Sequence, residues 1–168
     1  ANAEWHVLPA AVVSGLLAAF IALLSGAAIL RLSGIAASIA TFAFLAIIYT
    51  VYSSWEGVTG ATSSVVGLTR YADRWVTFGW ASATVLAAAW YANSSSGLAL
   101  RASREDEVAA DASGINMYRH RLIALVVSAF FTGVAGALFG HALGVLNPNS
   151  FYLGITFITL AMLVVGGI

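Results

Sequence analysis

Residues 122–146 read LIALVVSAFFTGVAGALFGHALGVL. The run contains no Asp, Glu, Lys or Arg, and His141 is its one ionisable side chain. A helix needs roughly 20 apolar residues to cross about 30 Å of hydrocarbon, and this stretch is long enough. Strict alternation of apolar and polar residues is missing, which argues against a barrel strand. Within lipid the backbone has no water to bond, and a helix satisfies it inside one segment.

Four further apolar runs flank this one, at 7–30, 35–52, 75–92 and 151–168. The expected fold is therefore all-α, a polytopic transmembrane bundle with about five spans in a single domain over 1–168. Composition agrees: 61% of residues are hydrophobic, 8% are charged, and the mean hydropathy is +0.93. A chain this apolar cannot cover itself with polar residues, so the lipid bilayer is its main solvent. Trp75, Trp90 and Tyr91 mark the ends of the third run, where rings favour the headgroup level. Asn147, Pro148, Asn149 and Ser150 form a turn signal before the fifth.

Net charge is zero, so no nucleic-acid partner is suggested. Cysteine is absent, which removes disulfides and thiolate metal sites. Lysine is absent as well, and a phosphate-binding P-loop requires it. Any ATP used by this protein must then be bound by another subunit, and no cofactor is expected here. The first residue is not Met and the last residues are still apolar, so the chain reads as part of a longer protein.

More than half of the charged side chains fall between Arg101 and Arg121. Five crossings place Arg31, Arg101, Arg104, Arg119 and Arg121 on one side, against Arg70 and Arg74 on the other. The positive-inside rule puts the 93–121 loop in the cytoplasm. That orientation would reverse if residues 31–34 were a break within one pass.

Within the loop, Ser103 can cap a helix with Asp106 three positions on, in a capping-box arrangement. Glu105, Asp106 and Glu107 then occupy a first turn where the dipole favours acids. Ala109 and Ala110 continue with good helix formers, and Gly114 offers a left-handed stop. A helix over 103–113 is too short to stand alone in water and needs a surface to pack on. Interfacial helices carry basic residues and large apolar anchors, whereas this one is acidic and rich in Ala, which leans toward a protein groove.

The stretch 97–116, GLALRASREDEVAADASGIN, resembles the cytoplasmic coupling segment of LivM-type permeases, membrane subunits of ATP-binding-cassette importers for branched-chain amino acids. The likeness runs along the chain: Leu30-Arg31-Leu32 with Gly34, 40–44 (ATFAF), Trp55-Glu56, Thr59-Gly60 and Gly67 are similar to family elements in the same order. Pro148, Ser150 and Phe151 resemble a Pro-x-Ser-Phe turn, and 164–167 (VVGG) a Gly-Gly element. Leu98 and Ser103 depart from common family residues, and 156–159 lacks an acid that some relatives carry. The resemblance implies a non-catalytic transport subunit in a bacterial inner membrane. Its implied partners are cytoplasmic ATPases docked at Ser103, Arg104, Glu105, Asp106, Glu107, Ala109, Ala110 and Gly114, a second permease subunit, and a periplasmic substrate-binding protein.

Inside the spans, Gly136, Gly140 and Gly144 repeat at i+4 with Gly133 one turn earlier, a pattern that lets a second helix approach closely. His141 lies among them as a packing residue or, alternatively, a pathway group; no acid in a span pairs with it to form a proton relay. The mid-span hydroxyls Ser38, Thr41, Ser128, Thr132, Thr156 and Thr159 are expected to bond back to carbonyls of their own helices or bridge to neighbours. Alternatively some line a polar path, with Ser38, Thr41 and Phe42 the candidates, Thr41 and Phe42 because the segment they resemble lies near the pathway. The competing reading is a structural or channel-forming helical protein that oligomerises through the glycine ladder. An intramembrane hydrolase is disfavoured, since no nucleophile-elbow motif occurs and no carboxylate accompanies His141.

Overall fold

A computed structural model describes residues 4–32, 35–54, 65–66, 74–143, 145–146 and 153–166. Its helices are α1 (Glu4–Ile29), α2 (Ile35–Ser54), α3 (Arg74–Ala92), α4 (Ser95–Glu105), α5 (Glu107–Ala112), α6 (Met117–Leu143) and α7 (Leu153–Gly166). Two short strands, β1 (Val65–Val66) and β2 (Val145–Leu146), pair antiparallel, Val65 opposite Leu146. The all-α membrane bundle expected from the sequence is what is found.

Segments Pro9–Ile29, Ile35–Ser54 and Met117–Ala142 are long and apolar enough to cross a bilayer. Helix α3 has 19 residues and α7 has 14 described ones. The exposed surface of these helices is apolar: Ile35, Trp90 and Val165 are each more than 80% exposed. In water such a surface would drive aggregation, and in lipid it is the matching one.

Helices α1 and α6 form the central pair and run antiparallel. A Cβ on Gly15 would stand 2.8 Å from Val134, and one on Gly26 would run into the Leu125 side chain. Between them the Ser14 hydroxyl reaches the Gly133 carbonyl at 3.0 Å while also donating to Ala11 at 2.8 Å. At the loop end the Tyr118 hydroxyl donates to the Ala27 carbonyl at 3.0 Å. Lipid supplies no hydrophobic drive between helices, so close backbone approach and such cross-bonds hold the pair.

Ala11, Val134 and Leu138 are the buried cluster of this pair, with Trp80 of α3 and Phe130 packed against it. Phe130 and Phe131 meet edge to face with centroids 5.5 Å apart. Helix α2 stands further off and has no buried residue. It nevertheless lines one cavity with α1, Ala37 to Ile48 facing Ile29 to Ala18. Leu30 and Arg31 form a turn that ends α1, with the Leu30 N–H on the Gly26 carbonyl at 2.9 Å and the Arg31 N–H on the Ala28 carbonyl at 3.3 Å.

Candidate functional site

The charged loop folds into two short helices joined at an elbow. Ser94 begins α4: its backbone is extended (φ −75°, ψ 164°) and its Oγ accepts from the Gly97 N–H. That hydroxyl also donates to the Tyr91 carbonyl at 2.6 Å, locking α4 to the end of α3. Gly97 is buried there, and a Cβ on it would sit 2.7 Å from the Ala92 carbonyl oxygen. Only glycine fits that close turn.

Helix α4 stops at Asp106, which adopts an extended backbone (φ −154°, ψ 111°) while its N–H still bonds the Ala102 carbonyl. The same residue starts α5, because its Oδ1 accepts from the Ala109 N–H at 3.0 Å. One aspartate therefore ends one helix and caps the next. Arg104 lies in the last turn of α4, the dipole end that favours cations. Helix α5 closes in a Schellman arrangement: Ile115 N–H bonds Ala110 O, and Gly114 N–H bonds Asp111 O, with Gly114 at φ +80°. Asn116 restarts the chain, its Oδ1 accepting from Arg119 N–H at 3.1 Å at the head of α6.

Two expectations are corrected here. Ser103 is not an N-cap; it lies inside α4 and donates to the Leu100 carbonyl at 2.8 Å. The single helix over 103–113 is replaced by α4 and α5, so Glu105 ends one helix and Glu107 begins the other. The left-handed stop at Gly114 is found as expected. Within α5, Ala110 is only 5% exposed and Ala109 is exposed. Ala110 is thus enclosed by its own chain, and Met117 at the head of α6 is buried as well. Exposed on the elbow are Leu98, Arg101, Ala102, Arg104, Asp106, Ala109, Asp111, Ala112, Ser113 and Gly114. Leu98 and Arg101 were not among the expected docking residues, and the amphipathic pattern of α4 was their signal.

A second feature is an open cavity of about 1090 Å³ between α1, α2 and α6. Ser38 and Thr41 line it; Phe42 and His141 do not. Phe42 is largely exposed and outside the cavity wall, and Phe44 lines the cavity in its place. His141 donates from Nδ1 to the carbonyl of Ala137 at 2.8 Å, a bond within its own helix. Ser25, Ser128 and Thr132 join the wall. Their hydroxyls, like that of Thr41, donate to carbonyls one turn back. What these groups still offer the cavity is acceptor lone pairs.

The glycines of α6 separate by environment. Gly133 is pressed on α1, where an added Cβ would lie 2.7 Å from Ala18 Cβ and 2.9 Å from Ser14 O. Gly140 is buried. A Cβ on Gly136 would meet nothing within 4 Å. Gly144 lies outside the described residues. The matching small residues on α1, Gly15 and Gly26, were missed because no regular i+4 repeat marks them.

A bundle of lipid-compatible helices carrying a capped two-helix elbow defines a multi-pass membrane protein. The chain belongs to the family described as branched-chain amino acid transport system / permease component, whose profile matches residues 1–168. Over 71 residues it is 41% identical to the high-affinity branched-chain amino acid transport system permease protein LivM of Escherichia coli (strain K12), covering 42% of this chain and 17% of that protein. LivM of Salmonella typhimurium matches at the same identity over the same length. The guanosine ABC transporter permease protein NupQ of Bacillus subtilis (strain 168) is 37% identical over 70 residues, 42% of this chain and 22% of that protein. The matched stretch is thus less than a quarter of each relative's length. No solved structure matches.

Proposed function

We propose that this chain is the membrane-spanning part of a permease subunit in a bacterial inner-membrane ATP-binding-cassette importer. In this reading cytoplasmic ATPases grip the outward face of the α4–α5 elbow, and a second permease subunit completes the path. A periplasmic binding protein delivers the cargo, a branched-chain or related hydrophobic amino acid. Hydrolysis takes place in the ATPases, which agrees with the absence of lysine and hence of a P-loop.

The observation that carries the reading is the elbow's construction. Asp106 and Gly114 fix both ends of α5, which packs on α4 and meets α6, with Ala110 buried. A force applied to the exposed face is therefore passed to α6, and through Gly133 to α1. Movement of that pair against the loosely held α2 would reshape the cavity that Ser38 and Thr41 line, converting nucleotide state into access.

The competing channel reading is less well supported, because Gly133 is already used within the chain against Ala18 and Ser14. For the cargo, the guanosine permease matches the chain nearly as well as the amino acid permeases do. Uptake by the reconstituted full-length complex decides: competition by leucine, isoleucine and valine but not guanosine is expected. Co-purification tests the docking. The tagged full-length permease should bring down an ATPase, and Asp111→Arg on the elbow should release it.

A further inference from the structure

The end of α1 is completed from another helix. A helix leaves its last carbonyls without donors of its own, and here they belong to residues 26–29. The turn that follows takes three of them: Leu30 N–H bonds Gly26 O, Arg31 N–H bonds Ala28 O, and Leu32 N–H bonds Ile29 O. Because Arg31 reaches back three residues instead of four, the Ala27 carbonyl is passed over. Among the described residues its donor is the Tyr118 hydroxyl, 3.0 Å away and 91 positions along the chain. A carbonyl without a donor is costly where lipid excludes water, so the phenol answers a need that α1 creates.

Tyr118 is also the second residue of α6, directly past the elbow. Residues 113–116 join α5 to α6, and none of them is slack. The N–H groups of Ser113, Gly114 and Ile115 bond back to carbonyls of Ala109, Asp111 and Ala110, while Asn116 Oδ1 accepts from Arg119 N–H. A displacement of α5 therefore arrives at Tyr118 before it reaches Gly133, about 22 Å further along α6. We infer that Tyr118 is a positioning residue for transport: its bond to Ala27 makes the Ile29 end of α1 follow the elbow. Helices α1 and α6 then move as one body against α2, and the cavity wall at Ser25, Gly26, Ile29 and Leu30 moves with them. The inference rests on the importer reading and adds to it the contact at which the push is handed to α1.

The test uses the full-length complex in proteoliposomes and reads cargo, leucine or guanosine, taken up per ATP hydrolysed. Tyr118→Phe keeps the ring and removes only the hydroxyl. Its uptake per ATP should fall about three- to fivefold, the worth of one such bond, while ATPase docking and hydrolysis persist. Ser14→Ala removes the other hydroxyl bond between the two helices, the one to Gly133 away from the elbow, and should keep the wild-type ratio. A purely structural loss would lower uptake and hydrolysis together and leave the ratio unchanged. A distance measurement accompanies this. Residues 1–168 contain no cysteine, and spin labels on Leu32→Cys and Arg119→Cys, both exposed positions, should give one narrow distance that broadens with Tyr118→Phe. An unchanged ratio in Tyr118→Phe beside an active wild type overturns the role of Tyr118 alone. So does an equal fall in Ser14→Ala, or the same distance distribution with and without the hydroxyl. A wild type that takes up neither cargo overturns the importer reading and this inference with it.

Discussion

Gly133 lies so close to Ala18 that a single added carbon would stand 2.7 Å from the alanine's Cβ. Three positions along α6, the same carbon on Gly136 would meet nothing within 4 Å. Gly133→Ala and Gly136→Ala are therefore identical chemical changes with opposite expected signs. The first should destabilise the bundle by about 1–3 kcal/mol through overpacking. The second should be neutral or stabilise it by about 0.5–1 kcal/mol through helix propensity. Denaturation of the purified full-length protein in detergent, followed by circular dichroism, checks both.

Asp106 terminates α4 and caps α5, and the two roles use different atoms. Asp106→Ala keeps the backbone bond to Ala102 and removes the acceptor for the Ala109 N–H. A lost cap costs about 1 kcal/mol, so amide exchange at Ala109 should accelerate about fivefold. Asp106→Asn, which retains an acceptor oxygen, should stay near the wild-type rate. Equal protection in all three proteins would show that the carboxylate does not hold α5.

At Gly114 the backbone sits at φ +80°. A β-branched side chain resists that conformation, and the left-handed region costs an L-residue about 1–2 kcal/mol. Gly114→Val should leave insertion and expression intact while separating ATP hydrolysis from uptake in proteoliposomes. Tightly coupled uptake in this variant would count against α5 as the transmitting element.

Ala109 and Ala110 are neighbours with opposite surroundings. Ala109→Trp should abolish ATPase co-purification without changing the melting temperature of the isolated permease. Ala110→Trp has no room in its buried position and should lower that temperature by several degrees, an overpacking effect of about 1–3 kcal/mol. If the two variants behave alike, the assignment of exposed and buried faces on α5 is wrong.

Apolar runs made the spans legible in the sequence, because lipid imposes one rule on a long stretch. Their ends were harder to read. Helix α6 begins at Met117, five residues before its apolar run, since Asn116 caps it and Tyr118 to Arg121 extend it toward the surface. The elbow was misread for a related reason. Ser94 and Ser103 both have the chemistry of a cap, and Ser94 wins because Gly97 allows α4 to start against the α3 terminus. Once α4 has formed, Ser103 is an interior residue. The α1 face of the central pair stayed hidden because Gly15 and Gly26 show their purpose only opposite Val134 and Leu125. Of the four expected path residues, Ser38 and Thr41 line the cavity; helical phase separates Phe42 from it, and His141 lies along α6 beyond Gly133, the last cavity-lining residue of that helix.

The ladder of Val65–Val66 with Val145–Leu146 joins the segment after α2 to the segment after α6. It lies a full helix length, about 40 Å, from the elbow. The pairing ties those two segments together at the end of α6 remote from the elbow, so separating them there means breaking the backbone bonds of the ladder.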